Sequence, residues 1–247
     1  MSDGRKSTGS PLGPPDDPQA TGRAVRDMFA SVAPRYDFLN HFLSLRRDVA
    51  WRNSAAREVR EILARPGSVA LDVCCGTGDL ALAFARYSPG TILATDFCHP
   101  MLQRAREKAV GKPLRVFEAD TLNLPIADNS LDLIAVAFGF RNLADYRGGL
   151  VEMRRVLKPG GSVAILEFSR IHWPILGPLF RFYFRRVLPR LGTLISGVAG
   201  PYQYLPDSVS KFPDQEELLA LMREVGLRNT RYRNFFAGAA ALHLGEK

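Results

Sequence analysis

Histidine and cysteine are scarce in this chain: 247 residues contain four of the first and three of the second. His41, His99, His172 and His243 stand far apart, so no metal-ligand spacing is visible. Cys74 and Cys75 are adjacent and Cys98 is left over, which argues against a disulfide framework and for the reducing cytoplasm. The N-terminus lacks the apolar core of a signal peptide. Residues 1–20 are instead rich in Pro, Gly, Ser and Asp, and are predicted to form a disordered tail. Long apolar runs are also missing. The longest uncharged stretch, LGTLISGVAGPYQYLP at 191–206, is broken by glycines and prolines, which argues against a membrane-spanning helix. No internal repeat is visible. Acid is in deficit: 33 Lys and Arg face 25 Asp and Glu, for a net charge of +8. Such a balance suits a polyanionic partner, either nucleic acid or an anionic membrane surface, and equally a basic enzyme with neither.

What is present is a rhythm. The apolar, β-branched runs at 68–75, 91–98, 114–120, 131–138 and 162–169 predict strands. Helical patterns at 79–87, 100–110 and 146–157 separate most of them. Alternation of this kind implies an α/β fold, a mostly parallel sheet with helices on both faces. KPGG at 158–161 reads as a helix stop and turn. A helix at 214–226 and strands at about 228–236 and 239–245 follow, the tight return making one strand antiparallel. The expected organisation is one domain over 21–247, with a helical cap at 21–65 and an insert at 170–212 that breaks the rhythm.

Gly76, Thr77 and Gly78 lie between a predicted strand and helix, where glycines let a ligand approach the backbone. Gly76, Gly78 and Ala81 fit the dinucleotide fingerprint, and Asp96 lies 20 residues beyond Gly76, where a ribose-binding acid belongs. Charge favours another ligand. Asp72 precedes the loop and Asp79 sits in the first helical turn, and both would repel a pyrophosphate, although Asp79 alone also suits a helix N-terminus. S-adenosyl-L-methionine carries an ammonium and a sulfonium and no phosphate. In either case the ligand lies beyond the carboxyl ends of the strands, with Asp96 at the ribose and Asp120 and Thr121 at the adenine. Phe97 and Met101 are candidate adenine walls or core residues.

DVCCGTGDL at 72–80 resembles the first motif of class I methyltransferases. YDFLNHFLSLRRDVAWR (36–52) and RVLKPGGSVAILEFS (155–169) resemble the two signatures of the quinone C-methyltransferases that make ubiquinone and menaquinone. FGFRN (138–142), LPRLGTLISG (188–197) and YQYLPDSVSKFPDQEEL (202–218) are similar to that family too, so the likeness runs from about residue 23 to the C-terminus. It implies a Rossmann-like seven-stranded sheet with one antiparallel strand, S-adenosyl-L-methionine as donor and a polyprenylated quinol as acceptor. Demethylmenaquinol is the expected acceptor, and a ubiquinone-precursor benzoquinol the alternative. The family's donor-binding residues carry over to Thr77, Asp96, Asp120 and Thr121, beside Asp72, Gly76 and Gly78. One departure is Ala137, where some members have a serine.

A ring carbon becomes nucleophilic when a ring hydroxyl loses its proton, so the expected catalytic residues are cations or donors beside that oxygen. Arg141 and Asn142, just after the fourth strand, fill this role, with Arg141 as phenolate stabiliser or, alternatively, as a clamp on Asp145 or Glu167. Phe38, Phe42, Leu45 and Val49 form one helical stripe and Asp37, Asn40, Ser44 and Asp48 another. By resemblance, this segment closes over the cleft with Tyr36, Asp37 and Asn40 on the acceptor; the alternative is a plain packing helix. Arg170, Arg181, Arg185, Arg186 and Arg190 interleave with Trp173, Phe180, Phe182, Tyr183 and Phe184, and 171–197 hold no acid, which suits peripheral docking on an anionic membrane or a solvated basic face. An RNA methyltransferase is the rival class. Methylation of exocyclic amines usually goes with an Asp/Asn-Pro-Pro-aromatic motif where AFGFRN stands, and methylation of pyrimidine carbons with a cysteine near the later strands, whereas all three cysteines here lie at the first two, so no nucleic-acid partner is expected. A homo-oligomer is left open.

Overall fold

The computed structural model describes residues 9–12, 17–33, 36, 37, 41, 44, 46–171, 173, 174, 177, 178, 182–187, 190 and 200–247. Seven strands form its one sheet: β1 (Val69–Val73), β2 (Thr91–Asp96), β3 (Leu114–Glu118), β4 (Leu131–Ala137), β5 (Leu157–Phe168), β6 (Arg228–Phe235) and β7 (Ala240–Glu246). Their order is β3-β2-β1-β4-β5-β7-β6, and β7 runs antiparallel to both its neighbours. The described helices are α1 (Pro18–Val32), α2 (Arg47–Glu58), α3 (Arg60–Leu63), α4 (Asp79–Phe84), α5 (His99–Ala109), α6 (Tyr146–Val156), α7 (Gly200–Lys211) and α8 (Gln215–Glu224). The expected class I methyltransferase fold is what forms.

Alternation along the central strands divides the core. Ala70, Leu133, Ala135, Ala164 and Leu166 face α2 and α4, whereas Leu71, Ile134, Val136, Val163 and Ile165 face α6 and α8. Each face is apolar, which is why these strands read as unbroken apolar runs. The first face is rich in alanine. Small side chains there admit Trp51, Ala56, Leu80 and Phe84 closely against the sheet. Helix ends follow local chemistry. Asp17 Oδ1 accepts from Ala20 N at the start of α1, and Asp214 and Glu217 form a reciprocal capping box on α8.

Three expectations need revision. KPGG does not precede β5 but lies within it: β5 advances from Leu157 to Ser162 while its partner advances only from Leu131 to Leu133, and the excess loops out at Gly160 in a left-handed conformation. The segment 1–20 is not a free tail throughout, since α1 begins at Pro18 and Ser10 is buried, its N–H donating to Leu143 O at 2.7 Å. Residues 1–8 and 13–16 are outside the described ones. Finally, the helix at 79–87 ends at Phe84. Among the described residues no helix is long and apolar enough to cross a membrane.

His243 on β7 is buried, and its Nε2 bonds the Gln215 carbonyl at 3.0 Å while Nδ1 has no partner among the described residues. Burial pushes its pKa down to about 4, against a smaller opposing pull from the Gln215 carbonyl. The folded state therefore takes up this proton later than the unfolded chain as pH falls. The stability carried by neutral His243 is full above about pH 6.5 and is lost on the way to pH 4, up to about 3 kcal/mol. Urea unfolding of wild type and His243→Gln at pH 7 and pH 4.5 checks this. The variant is expected to gain on the wild type at the lower pH, and an unchanged difference would assign acid sensitivity elsewhere.

Candidate donor and acceptor cleft

The strand order reverses between β1 and β4, so the loops leaving their carboxyl ends diverge and open a cleft of about 400 Å³. After β1 the chain turns through Cys74, Gly76 and Gly78, all at positive φ. Gly78 caps α4 in the left-handed region at φ 85°, and a Cβ there would stand 3.4 Å from Ala105 on α5. After β4 Gly139 passes so near Cys74 that a Cβ would overlap it at 2.5 Å. The two loops are thus held together by an absent side chain.

Asp72 is the deepest carboxylate. Its Oδ2 accepts from Ala81 N at 2.9 Å, a helix-end donor with no partner inside α4, and its Oδ1 is buried with no partner among the described residues. Burial pushes its pKa up to about 8, against the pull of the Ala81 N–H and the Arg52 charge. An unsatisfied buried acceptor of this kind fits an incoming cation and would repel a phosphate. Asp96 is held from both sides, Oδ2 accepting from Gly76 N at 2.8 Å and Oδ1 from Cys98 N at 2.9 Å. Burial raises its pKa too, and each oxygen keeps a free lone pair for a ribose hydroxyl. Asp120 is exposed and fixes its own turn by accepting from Leu122 N, while Thr121 is buried with its hydroxyl 3.3 Å from Cys74 Sγ. Both line the cleft, as do Phe97, Met101 and Ala137. Met101 also packs with Ala33 and Cys98.

On the other side, Phe140–Asn142 forms a single 3-10 turn. Arg141 is buried in it. Its Nη1 pairs with Glu167 Oε1 at 2.8 Å and donates to the Phe138 carbonyl, and its own N–H meets Glu167 Oε2 at 3.2 Å. Of the two clamp partners expected, Glu167 is the one in contact. Arg141 is absent from the cleft lining, which instead receives Asn142. Asn142 Oδ1 accepts from Tyr204 Oη at 2.9 Å, leaving its amide N–H groups to donate. Tyr204 Oη also meets Ser10 Oγ at 2.9 Å. Phe138 adopts a positive φ of 61°, rare for a bulky residue, and its ring sits 4.8 Å from Phe168 and beneath Arg52 at 5.2 Å.

Tyr36 and Asp37, expected at the acceptor, lie against the glycine loop. Tyr36 lines the cleft beside Gly76 and meets Phe29 of α1 edge-on at 6.0 Å. Asp37 Oδ1 accepts from Thr77 Oγ1 at 2.5 Å, so these two expected residues do meet. Asn40, Phe38, Phe42 and Leu45 lie outside the described residues. Asp48 is buried under three partners: Ser44 Oγ and Arg52 Nη1 at 2.6 Å each, and His41 Nδ1 at 2.8 Å. Burial would raise its pKa, and these partners hold it below the usual value. Several contributors had no signal in the sequence. Gly22, Arg26 and Phe29 of α1 line the cleft from a helix that begins inside the expected tail. Arg52 showed one available cue, an acid four residues earlier on the same helix face.

Comparison with known proteins agrees with this geometry. The fold matches a SAM-dependent methyltransferase from Thermotoga maritima with a TM-score of 0.61 and 19% identity, covering 90% of this chain and 99% of that one. A second match, from Aquifex aeolicus, has a TM-score of 0.56 at 20% identity over 78% and 88%. In sequence, the chain is 49% identical to a demethylmenaquinone methyltransferase of Deinococcus radiodurans, over 95% of this chain and 97% of the relative. It is 46% identical to one of Thermus thermophilus over 89% and 100%. It is 44% identical to a ubiquinone/menaquinone biosynthesis C-methyltransferase of Geobacter sulfurreducens over 92% and 89%. The model of the ubiE/COQ5 methyltransferase family matches residues 18–247, and the chain belongs to that family.

Proposed function

We propose that this chain passes a methyl group from S-adenosyl-L-methionine to a ring carbon of demethylmenaquinol, giving menaquinol. The observation that carries the reading is the nearly end-to-end match to relatives named for that activity. A ubiquinone-precursor benzoquinol is the second acceptor, favoured by the Geobacter relative, whose name includes both quinones. The donor supplies an electrophilic methyl on a cationic sulfur. Asp72 Oδ1 takes the ammonium, Asp96 the ribose hydroxyls, and Asp120 with Thr121 the adenine end, Phe97 and Met101 walling it. The Thr77 hydroxyl, with Gly76 and Gly78 around it, shapes the floor.

The acceptor needs its oxygen as an anion, and a phenol with a pKa near ~10 gives little of it at neutral pH. Asn142 presents amide N–H groups to that oxygen. Arg141 acts behind it: its charge and its clamp on Glu167 fix the turn. Tyr36 and Asp37 close the opposite wall, keeping water from the methyl group in transfer. The acceptor's isoprenoid tail stays in the bilayer, so the insert docks reversibly on the anionic inner surface of the cell membrane. Trp173 and Phe182 are 63% and 61% exposed, and Arg186 and Arg190 are exposed beside them in the chain. Phe180 and Arg181, and the side chains of Phe184 and Arg185, lie outside the described residues.

Donor binding is expected to release a proton. Below about pH 8 Asp72 holds one, and an ammonium favours the ionised form, so affinity should rise with pH up to about 8 and then level off. Calorimetry at pH 7 in buffers of different ionisation heat should show release close to one proton per donor, and none in Asp72→Asn. Absence of release in the wild type, or tighter binding of NAD than of the methyl donor, would overturn the donor site.

Labelled donor offered with demethylmenaquinol, a benzoquinol precursor or bulk RNA tests the reaction itself, and label in RNA alone would refute it. Asn142→Ala is expected to lower kcat about 100-fold with the fold intact, as for loss of one donor to a developing anion. Arg141→Ala strands buried Glu167 and should also cost stability, about 3 kcal/mol by denaturant unfolding. Equal stability losses in both variants would remove Asn142 from the chemistry.

Flotation with anionic and neutral vesicles at low and high salt tests docking, each cation near an anionic surface adding ~1 kcal/mol. Replacing Arg186 and Arg190 by Gln should weaken flotation and spare methylation of a short-tailed quinol. Equal binding to both vesicle types would refute an electrostatic surface.

A further inference from the structure

Lys108 lies in the last turn of α5, two turns beyond Met101 and outside the residues expected at the site. Two separate pieces of chain meet on its ammonium. It donates to Asp79 Oδ1 at 2.6 Å at the start of α4, and to Thr77 Oγ1 at 2.9 Å in the glycine loop. It stands 2.7 Å from Asp37 Oδ2 in the N-terminal segment. The three N–H donors of the ammonium thus meet three oxygens. The Thr77 hydroxyl donates onward to the other oxygen of Asp37. Without Lys108, this bond and the approach of His41 Nε2 to Asp79 Oδ2 at 3.9 Å still join the N-terminal segment to the loop and to the start of α4.

Without that charge, Asp37 and Asp79 would confront each other across Thr77, with Asp72 and Asp96 deeper in the same cleft. Repulsion would then act to part the N-terminal segment from the glycine loop. The cluster is two-thirds or more buried: the Lys108, Asp37 and Asp79 side chains are 29%, 32% and 26% exposed, so solvent screens it only in part. Its geometry is not left to a loose side chain either. Ala105, one turn earlier on α5, lies close enough to Gly78 that a Cβ there would stand 3.4 Å from its own, so α5 runs beside the glycine loop and Lys108 is within reach of it. Thr77, Asp79 and Tyr36 line the cleft, while Lys108 does not. Its influence on the donor is therefore indirect.

We propose that Lys108 is a positioning residue that fastens the Tyr36–Asp37 segment over the glycine loop, so that the methyl donor is held beneath a closed wall. The inference rests on the donor reading above. The alternative is an ordinary surface ion pair with no consequence for the donor.

The test compares wild type with Lys108→Met and Lys108→Arg. Lys108→Met is expected to raise the donor KM about tenfold, within the range of coupling in a contacting charge cluster. It should leave kcat near wild type and move the melting temperature by no more than about 2 °C. Hydrogen exchange over residues 33–48 should slow when S-adenosyl-L-methionine saturates the wild type, and should not slow in Lys108→Met. Lys108→Arg should restore most of both effects, and added salt should raise the donor KM of the wild type more than that of Lys108→Met. A Lys108→Met enzyme with wild-type donor KM and wild-type exchange protection would overturn the proposal. So would parallel loss of KM, kcat and melting temperature in both variants, which would mark Lys108 as a support for α5. Failure of the wild type to bind the donor would instead fell the donor reading.

Discussion

Asp72 sits at the end of the first strand with one oxygen satisfied by a helix-end N–H and the other by nothing in the described protein. A carboxylate buried in this way is held near neutrality by its surroundings rather than by a partner. The neighbouring architecture keeps it so. Gly139 and Cys74 bring the two cleft loops together, and Phe138 takes up a strained backbone that sets its ring beneath Arg52. Arg52 is itself committed to Asp48, so its charge reaches Asp72 through space and does not close a pair with it.

The opposite wall solves the same problem differently. Arg141 and Glu167 are buried too, but they pair with each other, and the Phe138 carbonyl and the Phe168 ring take up more of the guanidinium, leaving Nε without a hydrogen-bond partner among the described residues. A closed pair makes a rigid turn, and breaking it on one side would be costly because the other charge stays behind. One half of the cleft thus holds an unpaired acid suited to a cation, and the other a matched pair suited to holding a turn in place. Asn142, next to that pair, is what the turn delivers to the cavity.

Much of this was legible in the sequence because strand, loop and helix carry local signals. The apolar runs at β1, β2, β4 and β5 are flanked by glycines and polar turns, and Asp72, Gly76, Asp96 and Thr121 follow from their places at strand ends. The tight return at 236–239 announced the antiparallel β7. What was hidden depends on convergence. KPGG carries the mark of a turn, and nothing local says that the strand has already begun at Leu157. Asp145 and Glu167 were equal as partners for Arg141, since one is near in sequence and the other only across the sheet. Lys108 sits at a helix end with no local signal of its partners, and its bonds to Thr77 and Asp79 arise only when α5 is brought beside the glycine loop.

The chain is basic overall, yet Asp72, Asp79, Asp96 and Asp120 all face one cavity. That contrast bears on how spent donor leaves. The acids attract a ligand in proportion to its positive charge, and methyl transfer removes the charge on sulfur while leaving the ammonium. On the proposed reading the ionised acids of the cavity therefore attract the product less than the donor.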